Sequence, residues 1–254
     1  MGGSRHPLAM AARGRTAAAV LARGRWVLPA VFIIVAGAVW FFWPSHGPDV
    51  RRAANLAAGG DVVVFFGDSI TQGYGVLPEE SFPALAALTL GVPFVNAGVP
   101  GDTMSAGLAR MERDVLAHHP RLVVVEFGGN DFLRRVPLEE TLRSLDSIVG
   151  GLIRKGTMVV ILEVNVGLGG TSYRDGYQAV ADRHGAVLIP DVLRGILTTS
   201  TLKVDTIHPN AKGHRLIAER VVATLRPLLD EADRRRGTRG AGSGFSLPVF
   251  RPVG

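Results

Sequence analysis

Between residues 61 and 230, short and continuously apolar runs alternate with helical stretches. This alternation limits the possible folds more than any other feature of the chain. The runs are 61–66, 92–96, 122–127, 158–164 and 186–189. A strand that is apolar at every position has no face to give to water, so it sits in a sheet covered on both sides. The segments between and after them, 82–90, 103–118, 138–155, 173–184 and 210–229, read as helices. In 138–155, Leu138, Leu142, Leu145, Ile148 and Leu152 recur at three- and four-residue spacing, the mark of one apolar helix face. Strands alternating with helices predict a parallel sheet. The expected fold class is α/β, a three-layer α/β/α sandwich around a mostly parallel sheet of five strands. No internal repeat interrupts it.

Composition sets the outer limits. The 254 residues are 47% hydrophobic, too apolar for a wholly disordered chain. There is no cysteine, which excludes a disulfide scaffold, a thiolate metal site and a cysteine nucleophile. The net charge of +6 invites a nucleic-acid or anionic-membrane reading, but the charges are segregated. Residues 1–48 carry +5 and residues 231–254 carry +3, leaving 49–230 at −2. The folded part has no nucleic-acid signature.

Residues 26–43 contain no charge and hold all three tryptophans, Trp26 at one end and Trp40 and Trp43 at the other. Eighteen helical residues span about 27 Å, enough to cross a hydrocarbon core. Arg5, Arg13, Arg15, Arg23 and Arg25 precede the stretch, and the positive-inside rule then places the rest of the chain outside the cytoplasm. The alternative is a cleaved signal peptide, but the apolar stretch exceeds the usual 7–15 residues or so and no small-x-small site follows it. The expected organisation is a basic N-terminus (1–25), a single transmembrane anchor (26–43), a Pro/Gly/Ala linker (44–60), a catalytic domain (61–230) and a disordered basic tail (231–254).

Ligands bind an open parallel sheet at the carboxyl ends of its strands. Four polar, glycine-rich loops fall there: 67–71, 97–103, 128–131 and 205–210. Ser69 stands at a strand-to-helix turn, where a hydroxyl is exposed but needs a base to act as a nucleophile. Asp205 and His208 lie three apart, so the carboxylate can fix the imidazole tautomer and leave the other ring nitrogen free to take a proton. Asn130 offers two amide donors. Gly101 lets a backbone N–H approach a ligand closely. With the N–H of Ser69 these are three donors for a developing oxyanion. Each residue alone also fits helix capping or turn chemistry. Asp68 and Asp131 read as holders of loop backbone. His118 and His119 lack partners at metal-ligand spacing. His184 suits a helix C-terminus, and His214 reads as structural or exposed.

Taken together, GDSIT at 67–71, NAGVPGDT at 96–103, GGND at 128–131 and DTIHPN at 205–210 resemble the SGNH (GDSL-type) hydrolase superfamily, in its arylesterase, acyl-thioesterase I and lysophospholipase branch. The resemblance covers about residues 61–226. It implies a flavodoxin-like fold with Ser69 as nucleophile, His208 as base and Asp205 as its orienting acid. It implies an oxyanion hole from Ser69, Gly101 and Asn130, with Gly98 as the rival glycine. It also implies a small ester or thioester substrate, possibly lipid-derived, and neither cofactor nor metal. Thr71 stands where the G-x-S-x-G elbow of the α/β-hydrolases needs its second glycine, which argues against that fold. A deacetylase of acetylated glycan or cell-wall polymer fits the same triad. A non-catalytic ligand-binding module is the alternative from another class. The segment 167–173 would be a substrate loop.

Overall fold

The computed structural model describes residues 50–164 and 170–237. Five strands form one sheet: β1 (Val63–Gly67), β2 (Phe94–Gly98), β3 (Leu122–Phe127), β4 (Met158–Glu163) and β5 (Val187–Ile189). Their order is β2-β1-β3-β4-β5, and every pairing is parallel. Among the described residues seven α-helices accompany them. They are α1 (Ser69–Gln72), α2 (Phe82–Leu90), α3 (Met104–Asp114), α4 (Gly129–Leu133), α5 (Leu138–Arg154), α6 (Gly170–His184) and α7 (Ala211–Arg236).

The alternation of side chains along each strand divides the core in two. Val63 and Phe65 of β1 join Phe82 and Ala86 of α2 and Ile217, Val221 and Leu225 of α7. Val64 and Phe66 point the other way, to Met104 of α3, Leu145, Ile148 and Leu152 of α5, and Tyr177 and Ala181 of α6. Both sets are buried, and burying one such side chain contributes about 1.5–3 kcal/mol. This is the expected three-layer sandwich, with a sheet that is wholly parallel.

The anchor predicted at 26–43 lies outside the described residues. Among those described, no helix is long and apolar enough to cross a membrane. Three other expectations need correction. Residues 50–60 of the expected linker are packed onto the domain. A 3₁₀ turn, Val50–Arg52, leads to Leu56 and Ala58, both in the core. Asn55, in the left-handed region at φ 59°, donates to the carbonyls of Ile153 (2.8 Å) and Thr157 (3.1 Å). It thereby ties this segment to the turn that follows α5, where the Ile153 carbonyl also accepts from the Gly156 N–H at 3.0 Å. The tail expected from residue 231 is helical as far as Arg236. Ala232 is buried, Glu231 pairs with Arg234 and Arg235, and Asp233 with Arg121. Gly237 at φ 71° ends the helix, as a left-handed C-cap does. The helix expected over 103–118 stops at Asp114 and continues as a 3₁₀ turn, Leu116–His118.

The sheet order places the site. The chain leaves β1 for β2 on one side and β3 lies on the other, so connections diverge in opposite directions at the β1/β3 boundary. The crevice formed there, at the carboxyl ends of the strands, is where open α/β sheets bind ligands. Ser69 follows β1 and Asn130 follows β3.

Candidate active site

β1 ends at Gly67, in register with Gly98 of β2 and Glu126 of β3. Neither glycine has room for a side chain. A Cβ on Gly67 would lie 2.1 Å from Thr71 Oγ1, and one on Gly98 would lie 2.2 Å from the backbone nitrogen of Gln72. Because both are glycine, the one-turn α1 can lie close across the strand ends. Asp68 caps α1, its Oδ1 accepting from the Ile70 N–H at 3.0 Å.

Ser69 Oγ donates to His208 Nε2 at 3.0 Å. His208 Nδ1 donates to Asp205 Oδ2 at 2.7 Å. The other carboxylate oxygen, Oδ1, accepts the N–H groups of Ile207 (2.9 Å) and His208 (2.8 Å). Burial acts to raise the Asp205 acid, but the bonds from the His208 ring and these two N–H groups outweigh it and bring it down to about 2. Asp205 is therefore ionised wherever the protein is used. Val204 N–H donates to the His208 carbonyl at 3.0 Å. Asn210 caps α7 through the N–H groups of Lys212 and Gly213. The Tyr74 ring lies against His208, with centroids 4.5 Å apart.

Asn130 shares the cleft with Ser69 and His208, beside Leu133, Val164, Leu193 and Ile207. Its amide nitrogen donates to Asp68 Oδ2 and to the Asp102 carbonyl, both at 3.0 Å. Gly101, at φ 83°, is held by Arg134 through its carbonyl at 2.7 Å and is not among the residues lining the cleft. The rival Gly98 is committed elsewhere, its N–H donating to Asn96 Oδ1 at 3.0 Å.

Beneath these residues lies a layer that the sequence did not reveal. Arg110 of α3 is buried, with its guanidinium 4.7 Å from the centre of the Phe66 ring. It donates to the carbonyls of Gly67 and Ala97, both at 2.9 Å, and to Asp102 at 2.6 Å. It thus ties the nucleophile turn to the loop after β2. Glu126 is buried directly under α1. Burial pushes the Asp68 acid up to about 6, against the opposing pull of the Ile70 N–H, Glu126, His208 and Asn130.

The remaining candidates lie apart from the cleft. Asp131 holds backbone, accepting from the Met104 N–H (2.9 Å) and the Thr141 hydroxyl (3.1 Å). His118 and His119 lie between α3 and the first residue of β3, at the end of that strand opposite the cleft. His184 bonds Asp146 at 2.9 Å. His214 is buried in the core, and its Nδ1 accepts from the Phe82 N–H at 3.2 Å. Burial brings it down to about 4, so it is neutral at physiological pH. No three metal-binding side chains are grouped among the described residues. Of the predicted substrate loop, 167–173, residues 167–169 lie outside the described residues, and 170–173 form the first turn of α6.

The sequence model of the GDSL-like lipase/acylhydrolase family matches residues 65–216. The chain belongs to this family. Relatives of this GDSL-like hydrolase include the thioesterase 1/protease 1/lysophospholipase L1 of Escherichia coli K12. It is 27% identical over 214 residues, covering 81% of this chain and 95% of the relative. The esterase TesA of Pseudomonas aeruginosa is 31% identical over 183 residues, covering 68% and 91%. A crystal structure of TesA superposes with a TM-score of 0.62 at 31% identity, covering 66% of this chain and 99% of that one. Membership of this family of ester-hydrolysing enzymes removes the non-catalytic binding module as a reading.

Proposed function

We propose that this serine esterase hydrolyses carboxylic esters and thioesters through an acyl-enzyme on Ser69. The observation that carries the reading is the continuous chain from Ser69 Oγ to His208 Nε2 (3.0 Å) and from His208 Nδ1 to Asp205 (2.7 Å). As Ser69 Oγ attacks the acyl carbon, its proton passes to His208 Nε2. The imidazolium that forms is stabilised by the ionised Asp205. Negative charge gathers on the former carbonyl oxygen, where the N–H groups of Ser69 and Gly101 are the donors and the Asn130 amide joins them by exchanging its bond to Asp68 or to the Asp102 carbonyl. The commitment of the Gly98 N–H to Asn96 supports Gly101 over its rival. When the tetrahedral species collapses, His208 gives its proton to the departing oxygen or sulfur. Water, deprotonated by the same His208, then cleaves the Ser69 ester and releases the acid. Replacing Ser69 by Ala should lower p-nitrophenyl acetate turnover about 10⁴-fold or more and abolish labelling by a fluorophosphonate, without lowering the melting temperature. Retained turnover would remove Ser69 from the reaction.

A second reading, short-acyl removal from acetylated glycan or cell-wall polymer, is favoured by the size of the cleft. The cleft beside Ser69 is half open to solvent and holds only about 20 Å³ of preformed space, with no deep channel for a long acyl chain among the described residues. Turnover falling from acetyl to octanoyl esters would support it, and a preference for long chains would favour a lipid substrate. We also propose that 26–43 anchors the enzyme in the cytoplasmic membrane with its catalytic domain outside. The uncharged stretch and the five arginines before it support this. Protection of the domain from protease in intact cells, lost in spheroplasts, would agree with that topology.

A further inference from the structure

Glu126 is an acid inside an otherwise apolar strand, and the triad chemistry makes no use of it. It stands on the central β3, paired with Gly67 at the end of β1. Its Oε2 accepts twice from the same residue of α1, from the Thr71 hydroxyl at 2.6 Å and the Thr71 N–H at 3.2 Å. Its Oε1 is buried and has no hydrogen-bond partner. Thr71 in turn is held to β2, its carbonyl accepting from Asn96 Nδ2 at 2.9 Å. On the other side of the turn, Asp68 takes the Asn130 amide at 3.0 Å. Ser69 therefore sits between two buried carboxyl groups, one holding the residue two places after it and the other the oxyanion donor.

We propose that Glu126 is a positioning residue for the hydrolysis: through Thr71 it fixes the turn that carries Ser69, and with that turn the place of Asp68, which accepts from Asn130. Burial drives its acid well above the ordinary range, and the neighbouring Asp68 charge pushes the same way. Among the described residues no Arg or Lys donates to either carboxyl group. A charge on Glu126 is thus disfavoured, and the two bonds from Thr71 need only an oxygen in that place. The proposal rests on Ser69 being the nucleophile.

Three variants test it, with kcat and KM measured on p-nitrophenyl acetate and melting followed by circular dichroism. Glu126→Ala leaves the Thr71 donors without an acceptor. It should lower kcat about 10- to 100-fold with KM within about twofold, the scale on which a small misplacement of a reacting group is felt. Glu126→Gln keeps the shape and an oxygen for both Thr71 donors and should recover most of that loss. Thr71→Val removes the 2.6 Å bond from the other side and should lower kcat about fivefold in a chain that still folds. A folded Glu126→Ala with wild-type kcat, a Gln variant as slow as Ala, or a Thr71→Val with unchanged kcat would each overturn the proposal. Fluorophosphonate labelling of wild type against Ser69→Ala runs alongside. Labelling that does not depend on Ser69 would mean the nucleophile assignment had failed, and unchanged Glu126 and Thr71 variants with Ser69-dependent labelling would sink only the positioning role.

Discussion

The two halves of the triad are held in different ways. Ser69 is 8% exposed, and its turn is fixed by residues far away in sequence. Glu126 holds Thr71 from 55 positions away, Asn130 holds Asp68 from 62, and Arg110 holds the Gly67 carbonyl from 43. Asp205 and His208 are held by each other and by the two N–H groups next to them, and the Asp205 side chain is 44% exposed. The nucleophile is thus a product of the whole fold, whereas the acid–base pair is one local turn set against it. A fixed nucleophile keeps its geometry only while the sheet is intact. A local turn keeps its geometry by itself but can shift as a unit.

This contrast predicts that the two halves fail differently. Asp205→Ala should lower kcat by about 10²–10⁴, since the imidazole loses its orienting partner and the charge that stabilises the imidazolium. Its melting temperature should stay within about 2 °C of wild type, because little beyond the turn depends on it. Arg110→Met should do the reverse in order of cause. It takes the guanidinium from Asp102 and one donor each from Asp114, which keeps Arg113, and from the carbonyls of Gly67 and Ala97, at a cost of about 3 kcal/mol in all. For a domain of this size that is about 10 °C of melting temperature, with activity lost as the nucleophile turn loosens. Equal melting losses in the two variants would erase the distinction.

The smallest effect concerns pH. In the folded chain Asp68 holds its proton up to about pH 6, against an ordinary value of 3.8. The folded state therefore binds more protons than the unfolded state within that window, and this contribution to stability declines as pH rises through it. Asn at the same position cannot ionise. The melting temperature of Asp68→Asn relative to wild type should accordingly move in the variant's favour between pH 4 and 7. A difference that stays constant across the range would place the ionisation elsewhere.

The legible parts of this molecule are those whose signal is local. All five strands could be read from their apolar runs, although 61–66 and 92–96 were placed one or two residues early. At those ends Gly67 and Gly98 extend the sheet without looking like strand residues. Ser69 and Asn130 were legible because each sits in a short polar loop at a strand end, and Asp205 and His208 because they fall three apart in the polar loop before α7; Ser69, Asn130 and His208 line one cleft, with Asp205 bonded to the far ring nitrogen of His208. Arg110 and Glu126 were not. The sequence suggests an apolar stripe of Met104, Leu108, Met111 and Val115 on α3, but the helix buries Met104, Gly107, Arg110 and Asp114. Its close approach explains the rotation. A Cβ on Gly107 would come 2.6 Å from the Phe127 ring, and the next turn then places Arg110 over Phe66. Such a stripe becomes visible only once the partners that neutralise and stack on the guanidinium are known, and they come from three other elements. Glu126 did leave a trace, a single carboxylate in the run LVVVEF, which the period of a buried strand does not explain.

The segment from Val50 to Gly60 bears on how this enzyme is to be handled at the bench. Its composition invites a cut just before Asp61, where the sheet begins. That cut would remove Leu56 from the core, break the bonds that Asn55 makes to the Ile153 and Thr157 carbonyls, and take away the Gly60 carbonyl that accepts from Arg236 at the end of α7. A shortened chain intended for crystals or assays should begin ahead of Val50, and a purification tag should sit beyond that point, so that the fold keeps the strap that closes it.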